Sequence, residues 1–174
     1  LVLEAASTEA LWLSEGLAQM AEELVASEYE LAENSFATQL FRVGNSGRAR
    51  RYLANPSSTS LLVGAGGRGS LEERGVGWLH CLYLAAQKGV GVLGQLTRTT
   101  TTGTDNVTAR VGVPWEELLA DWWAAVYLDG QDGVASRLTY PGLDLREFLA
   151  NDFALNPEAL GSADFTRSGS LWSS

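Results

Sequence analysis

The side chains able to do chemistry are few and unevenly placed. Histidine and cysteine occur once each, as the neighbours His80 and Cys81. Adjacent residues of a helix point about 100° apart, so this pair does not chelate by itself. One histidine cannot build a two-histidine metal site, and one cysteine cannot close an intrachain disulfide. A lone histidine on an apolar helix reads as a packed or surface residue, and Tyr83 reads as core. Carboxylates are the larger resource. Residues 1–41 carry eight glutamates (Glu4, Glu9, Glu15, Glu22, Glu23, Glu28, Glu30 and Glu33) and no lysine or arginine. Arg42, Arg48, Arg50 and Arg51 follow. Two readings are open here: an acidic solvated helix with a basic helix packed beside it, or an acidic face that holds a cation.

Other patterns carry less. Gly64-Ala-Gly-Gly-Arg-Gly69 lacks the Gly-Lys-Ser/Thr ending and the preceding strand of a phosphate loop, so it reads as a plain loop. Asp129-Gly-Gln-Asp-Gly133 is too short for a calcium loop and reads as a turn. Asn106-Val-Thr108 matches the glycosylation sequon, a pattern common by chance.

These groups need a scaffold. The chain has 174 residues, 45% of them apolar and 19% charged, a globular composition with enough length for one core. Its net charge of −9 disfavours nucleic acid and anionic membrane surfaces as partners. The apolar run at 118–128 contains Asp121 and is too short to span a bilayer. No basic stretch precedes an apolar run at the start, so no signal peptide is expected in this chain. Leu1 in place of Met, and an end at Ser174 without a stop pattern, suggest a fragment, a processed chain or a trimmed domain.

Helical periods dominate. Residues 8–26 read as a helix capped by Ser7 or Thr8, with Glu9 in its first turn and a stripe of Leu13, Leu17, Met20 and Leu24. Gly44-Asn-Ser-Gly47 reads as a turn, and 48–54 as a short helix stopped before Pro56. Ser70 and Glu73 form a capping-box pattern. That box opens a helix through Lys88, with Leu71, Trp78, Leu79, Leu82 and Ala86 inward and Gly89 as its stop. Residues 90–98 and 106–111 read as short helices, the second capped by Thr104 or Asp105. Pro114 suits the first turn of a helix with a stripe of Trp115, Leu118, Leu119, Trp122 and Val126. Residues 145–151 read as a last short helix and 152–174 as an irregular tail. The fold class is mainly α: one irregular helical bundle over 1–174.

One segment resembles a known family. Trp12-Leu-Ser-Glu15-Gly-Leu-Ala18, followed by Ala21-Glu-Glu-Leu24, resembles the second zinc-binding helix of gluzincin metallopeptidases. It looks closest to the hyicolysin-like branch, peptidase family M30, and related bacterial secreted peptidases. Glu72-Glu-Arg-Gly75 with Trp78, Leu79, Leu82 and Tyr83 looks like the helix that follows, and 115–128 like the later helical subdomain. The resemblance implies that Glu15 is the third ligand of a catalytic zinc. Glu22 and Glu23 would then be supporting carboxylates behind the ligands. The cofactor implied is zinc and the partner is a peptide or protein substrate. The location implied is extracellular or periplasmic.

The physical setting agrees with that role. Glu15 sits inside a well-patterned helix, and Gly16 beside it lets another backbone approach. Three protein ligands leave the fourth zinc position to a water whose pKa falls toward neutrality. The family's His-Glu-x-x-His is absent from this chain, so the two histidines and the general base would lie upstream of Leu1. On this reading the chain is the C-terminal helical part of a zinc metallopeptidase, inactive alone. The alternative is a non-catalytic helical binding or interaction domain.

Overall fold

The computed structural model describes residues 9–63, 69–142 and 144–147. Among them no strand occurs. Six α-helices follow one another: α1 Leu11–Leu31, α2 Ser35–Ala54, α3 Leu71–Lys88, α4 Gly91–Leu96, α5 Gly103–Val111 and α6 Trp115–Leu128. Short 3-10 turns stand at Pro56–Ser58 and Ser136–Leu138. The mainly α expectation is therefore met. None of the helices is long and apolar enough to cross a membrane among the described residues.

Three helices form the centre. α1 and α2 make an antiparallel hairpin, and both pack on α3. Glu15 of α1 meets Arg74 of α3, and Gly16 meets Gly77 and Cys81. Arg51 of α2 meets Glu72 and Arg48 meets Gly75, so α2 runs antiparallel to α3. Glycines set the crossings. A Cβ on Gly16 would lie 2.6 Å from the Gly77 carbonyl oxygen, and one on Gly75 would lie 2.2 Å from the Arg48 carbonyl oxygen. The expected approach of another backbone at Gly16 is thus observed.

α3 is the most buried helix. Its start carries the expected capping box: Ser70 Oγ accepts from Glu73 N at 3.1 Å, and a Glu73 carboxylate oxygen accepts from Ser70 N at 2.8 Å. Gly89 ends it at φ 80°, a conformation glycine adopts without strain. Ser70→Ala is expected to cost about 1 kcal/mol. A thermal unfolding curve identical to wild type would remove the cap from the account. Trp78 and Leu79 are fully buried, and Leu82 and Ala86 are half-buried. Leu71, expected inward, is exposed because it stands in the first turn, beyond the crossing with α2.

Several boundaries differ from the sequence reading. α2 runs unbroken through Gly44-Asn-Ser-Gly47, where a turn was expected. The reason is tertiary. Asn45 is buried and donates to the Gln19 carbonyl at 3.0 Å, and Ser46 Oγ donates back to the Arg42 carbonyl. Turn-forming residues here hydrogen-bond to helical backbone instead. Glu9 lies before Leu11 and not in the first turn of α1; its carboxylate accepts from Ala10 N at 2.7 Å, from Gly103 N at 2.6 Å and from Asn106 Nδ2 at 2.9 Å, so it ties the entry of α1 to the start of α5. α5 consequently starts at Gly103, ahead of Thr104 and Asp105. Pro114 stands just before α6, at the N-cap. Residues 7 and 8, the 64–68 loop, 148–151 and the 152–174 tail lie outside the described residues.

The last described segment is tied down by Asp129. This buried carboxylate ends α6 and accepts from the backbone N–H groups of Tyr140 and Leu145. Burial raises its pKa, and the two backbone donors work against that rise. Tyr140 in turn receives Trp122 Nε1 and donates to the Leu79 carbonyl, each at 3.1 Å. Trp122, Leu118 and Val126 of α6 are buried as expected, with Leu119 and Trp115 half-buried.

Candidate functional site

Glu15 lies on the outer edge of the α1–α3 crossing. Its side chain keeps 29% of its accessibility, and its Oε2 is 3.3 Å from Arg74 Nε. The arginine comes from α3, not from the basic segment 42–51. Oε1 has no partner among the described residues. The chain enters α1 at Ala10, little more than one turn before Glu15, and Gly16 locks the helix on α3 beside it. The carboxylate is therefore held on a fixed platform with one oxygen open.

The other two acids of interest are engaged elsewhere. Glu23 is buried and receives Arg42 Nε at 2.8 Å. Glu22 lies 3.2 Å from Arg48 Nη1, which also donates to Gln19 Oε1 and to Asn45 Oδ1. Arg42 extends to Glu30 at 2.9 Å and holds that carboxyl below its ordinary value. These contacts settle the earlier choice for much of the acidic run: a basic helix packs beside the acidic one. The ion pairs bind α1 to α2 and thereby hold Glu15's helix.

No group of three or more His, Cys, Asp or Glu side chains able to hold a metal occurs among the described residues. His80 and Cys81 do not assist Glu15. Both are completely buried. Burial pushes the Cys81 thiol up to about 12, so at neutral pH it is neither a thiolate ligand nor a nucleophile. Burial pushes His80 down to about 3. Its ring sits among Trp12, Trp115 and Trp122, with centroids 5.2–5.5 Å away, and neither nitrogen has a hydrogen-bond partner among the described residues. The packed reading of His80 is the observed one, and Tyr83 is likewise core, its hydroxyl donating to the Arg137 carbonyl at 2.6 Å. Asn106 is buried, with its amide nitrogen bonded to Glu9 and to the Leu96 carbonyl, so the sequon is closed to a glycan in the folded chain.

Sequence reasoning did not anticipate a second feature. A groove of about 640 Å³ runs between the segment after α2 and α6. Leu61, Leu62, Leu119, Trp123 and Tyr127 line it, with Tyr52 at its base. Its lining holds no Asp, Glu, Lys or Arg. Trp123 and Tyr127, large aromatics four residues apart on α6 and outside its stripe of Trp115, Leu118, Leu119, Trp122 and Val126, were the available signal.

Comparison with protein-family models, curated proteins and solved structures gives no match to this chain.

Proposed function

We propose that this chain is the C-terminal helical part of a zinc metallopeptidase and that Glu15 is its contribution to the metal. The observation that carries the reading is a carboxylate fixed on a glycine-locked helix, held through one oxygen by Arg74, with the other oxygen open. A zinc ligand of this kind is a single carboxylate oxygen at a set position, and here the carboxylate is steadied from behind by an ion pair with Arg74. Glu22 and Glu23 support it indirectly by tying α1 to Arg48 and Arg42. On this reading two histidines and a general-base glutamate would come from an upstream His-Glu-x-x-His helix, Glu15 would hold the zinc with them, and the ion would supply an acidified water for attack on a peptide carbonyl. The substrate is a peptide or protein, and the protein is exported.

The test is metal analysis of two purified forms. The protein extended upstream is expected to hold about one zinc per chain, and Glu15→Gln in it to weaken zinc by about 100-fold or more. The 174-residue chain alone is expected to lose its zinc on dialysis. Stoichiometric, dialysis-resistant zinc in the short chain would place the ligands among other acids. An upstream reading frame without His-Glu-x-x-His would sink the peptidase reading.

The groove supports the second reading, a non-catalytic binding domain. Its volume and uncharged apolar lining are those of ordinary ligand pockets. Trp123→Ala separates the two, since it should impair binding there and leave zinc at Glu15 untouched.

A further inference from the structure

Arginines in this chain have acids to spare, since 21 aspartates and glutamates stand against 12 lysines and arginines. Arg42, Arg48, Arg51, Arg74 and Arg137 each meet a carboxylate, and Arg146 donates to carbonyls at the end of α6. Arg98 and Arg110 differ. Neither side chain has a salt bridge or hydrogen bond among the described residues. Both line one cavity of about 620 Å³.

The cavity is built where α4 and α5 meet α1. Leu24 of α1 and Val90 and Leu93 of the α4 segment form its apolar wall. Asn106 of α5 fixes the two short helices to each other by donating to the Leu96 carbonyl at 2.9 Å. Leu93 is buried and Leu24 half-buried, while Arg98 and Arg110 are exposed, so the apolar wall lies inward and the charge at the rim. No carboxylate stands among its described lining residues. Gly91 and Gly94, one turn apart on α4, also line it. Neither has a positive φ, and a Cβ on either would meet nothing within 4 Å. Backbone conformation and close packing therefore do not call for glycine at these positions, and the space beside them is free. Guanidiniums without an anion, set at the rim of an apolar wall, suit a ligand with an anionic head and an apolar body. A planar carboxylate accepts two parallel N–H bonds from a guanidinium, which matches the head to the arginines. The volume is that of ordinary small-molecule sites.

We propose that this cavity binds a small apolar monocarboxylate. The carboxylate lies on Arg98 and Arg110, and the apolar body lies against Leu24, Val90 and Leu93. Leu24 follows Glu15 by about two and a half turns and so stands on the opposite side of α1, which separates this site from the metal reading. The site is also distinct from the groove at Trp123 and Tyr127, whose described lining carries no charge.

The experiment is isothermal titration calorimetry of the 174-residue chain with decanoate, below the concentration at which decanoate aggregates. Decanol keeps only the body, and acetate only the head. Decanoate should bind about tenfold or more tighter than either. Arg98→Gln with Arg110→Gln should weaken decanoate by about tenfold or more and leave decanol within about twofold. Arg51→Gln with Arg137→Gln, an equal charge change at exposed ion pairs, should leave decanoate within about twofold. Gly94→Leu fills the cavity and places a better helix former in α4, so it should abolish binding without lowering the melting temperature. The proposal is overturned if decanoate does not bind, if decanol binds as tightly, or if the control pair weakens binding as much as the cavity pair. It is also overturned if Trp123→Ala in the other groove removes binding, or if decyl phosphate binds about tenfold more tightly than decanoate, which would assign the site to a phosphate head.

Discussion

Gly75→Ala is expected to destabilise the protein by about 3 kcal/mol or more, the upper range for overpacking. The added Cβ would lie 2.2 Å from the Arg48 oxygen, 2.5 Å from its carbon and 2.8 Å from Ala49 N. All three atoms are backbone inside α2, so no side-chain rotation relieves the clash. α2 must move off α3, and the contacts of Ala49, Tyr52 and Leu53 with the core loosen together. For a domain of this size the melting temperature should fall by roughly 10 °C. Gly47→Ala is the matched control. Nothing lies within 4 Å of its Cβ position, so inside α2 it should stabilise by about 0.5–1 kcal/mol. Equal melting of Gly75→Ala and wild type would show that the crossing is not as close as described. The same reasoning bears on function. Gly16→Ala would press on the Gly77 carbonyl at 2.6 Å and shift α1 against α3, which moves Glu15 relative to Arg74.

How much was legible beforehand follows the range of each interaction. The Ser70–Glu73 box involves residues three apart, and its signature was readable and correct. The same holds for Gly89 and for the stripe of α6. The Gly44–Gly47 segment misled because its turn chemistry is local while the bonds that hold it helical come from Gln19 across the hairpin. Glu9 misled for the same reason, since its carboxylate reaches across to the start of α5. At the candidate site, the motif around Glu15 was readable as a pattern, and so was the need for a small residue at 16. Arg74 was not, because nothing in local spacing says which arginine will face which acid. His80 was expected to be either packed or at the surface, and its cage draws on α1 and α6, which local spacing does not bring together.

That cage makes the protein acid-labile at an unusually high pH. His80 is neutral in the fold down to about pH 3, and burial is the cause. In the unfolded chain it titrates near 6.5. Its folded pKa is therefore depressed, so the unfolded state binds one more proton at any pH between these values. Stability is fully present above pH 6.5 and is lost as pH falls toward 3, at about 1.4 kcal/mol per pH unit. The carboxylate shifts carry their own signs: Glu30, lowered by its hydrogen bond to Arg42, adds to the loss below its unfolded value of 4.5, whereas Asp129, raised by burial, works above its unfolded value of 3.8 in the opposite sense, so that falling pH through its range stabilises the fold. Between pH 6.5 and 4.5 the chain should lose on the order of 2 kcal/mol through His80 alone. Protonation inside the cage would place a cation among Trp12, Trp115 and Trp122 with no hydrogen-bond partner among the described residues, and the favourable faces of those rings offset only part of the lost hydration. Urea unfolding at a series of pH values measures the slope directly. His80→Leu, which keeps the site apolar and similar in volume, should flatten the curve above pH 4.5. A variant that retains the full slope would assign the acid lability to other groups and leave His80 a passive core residue.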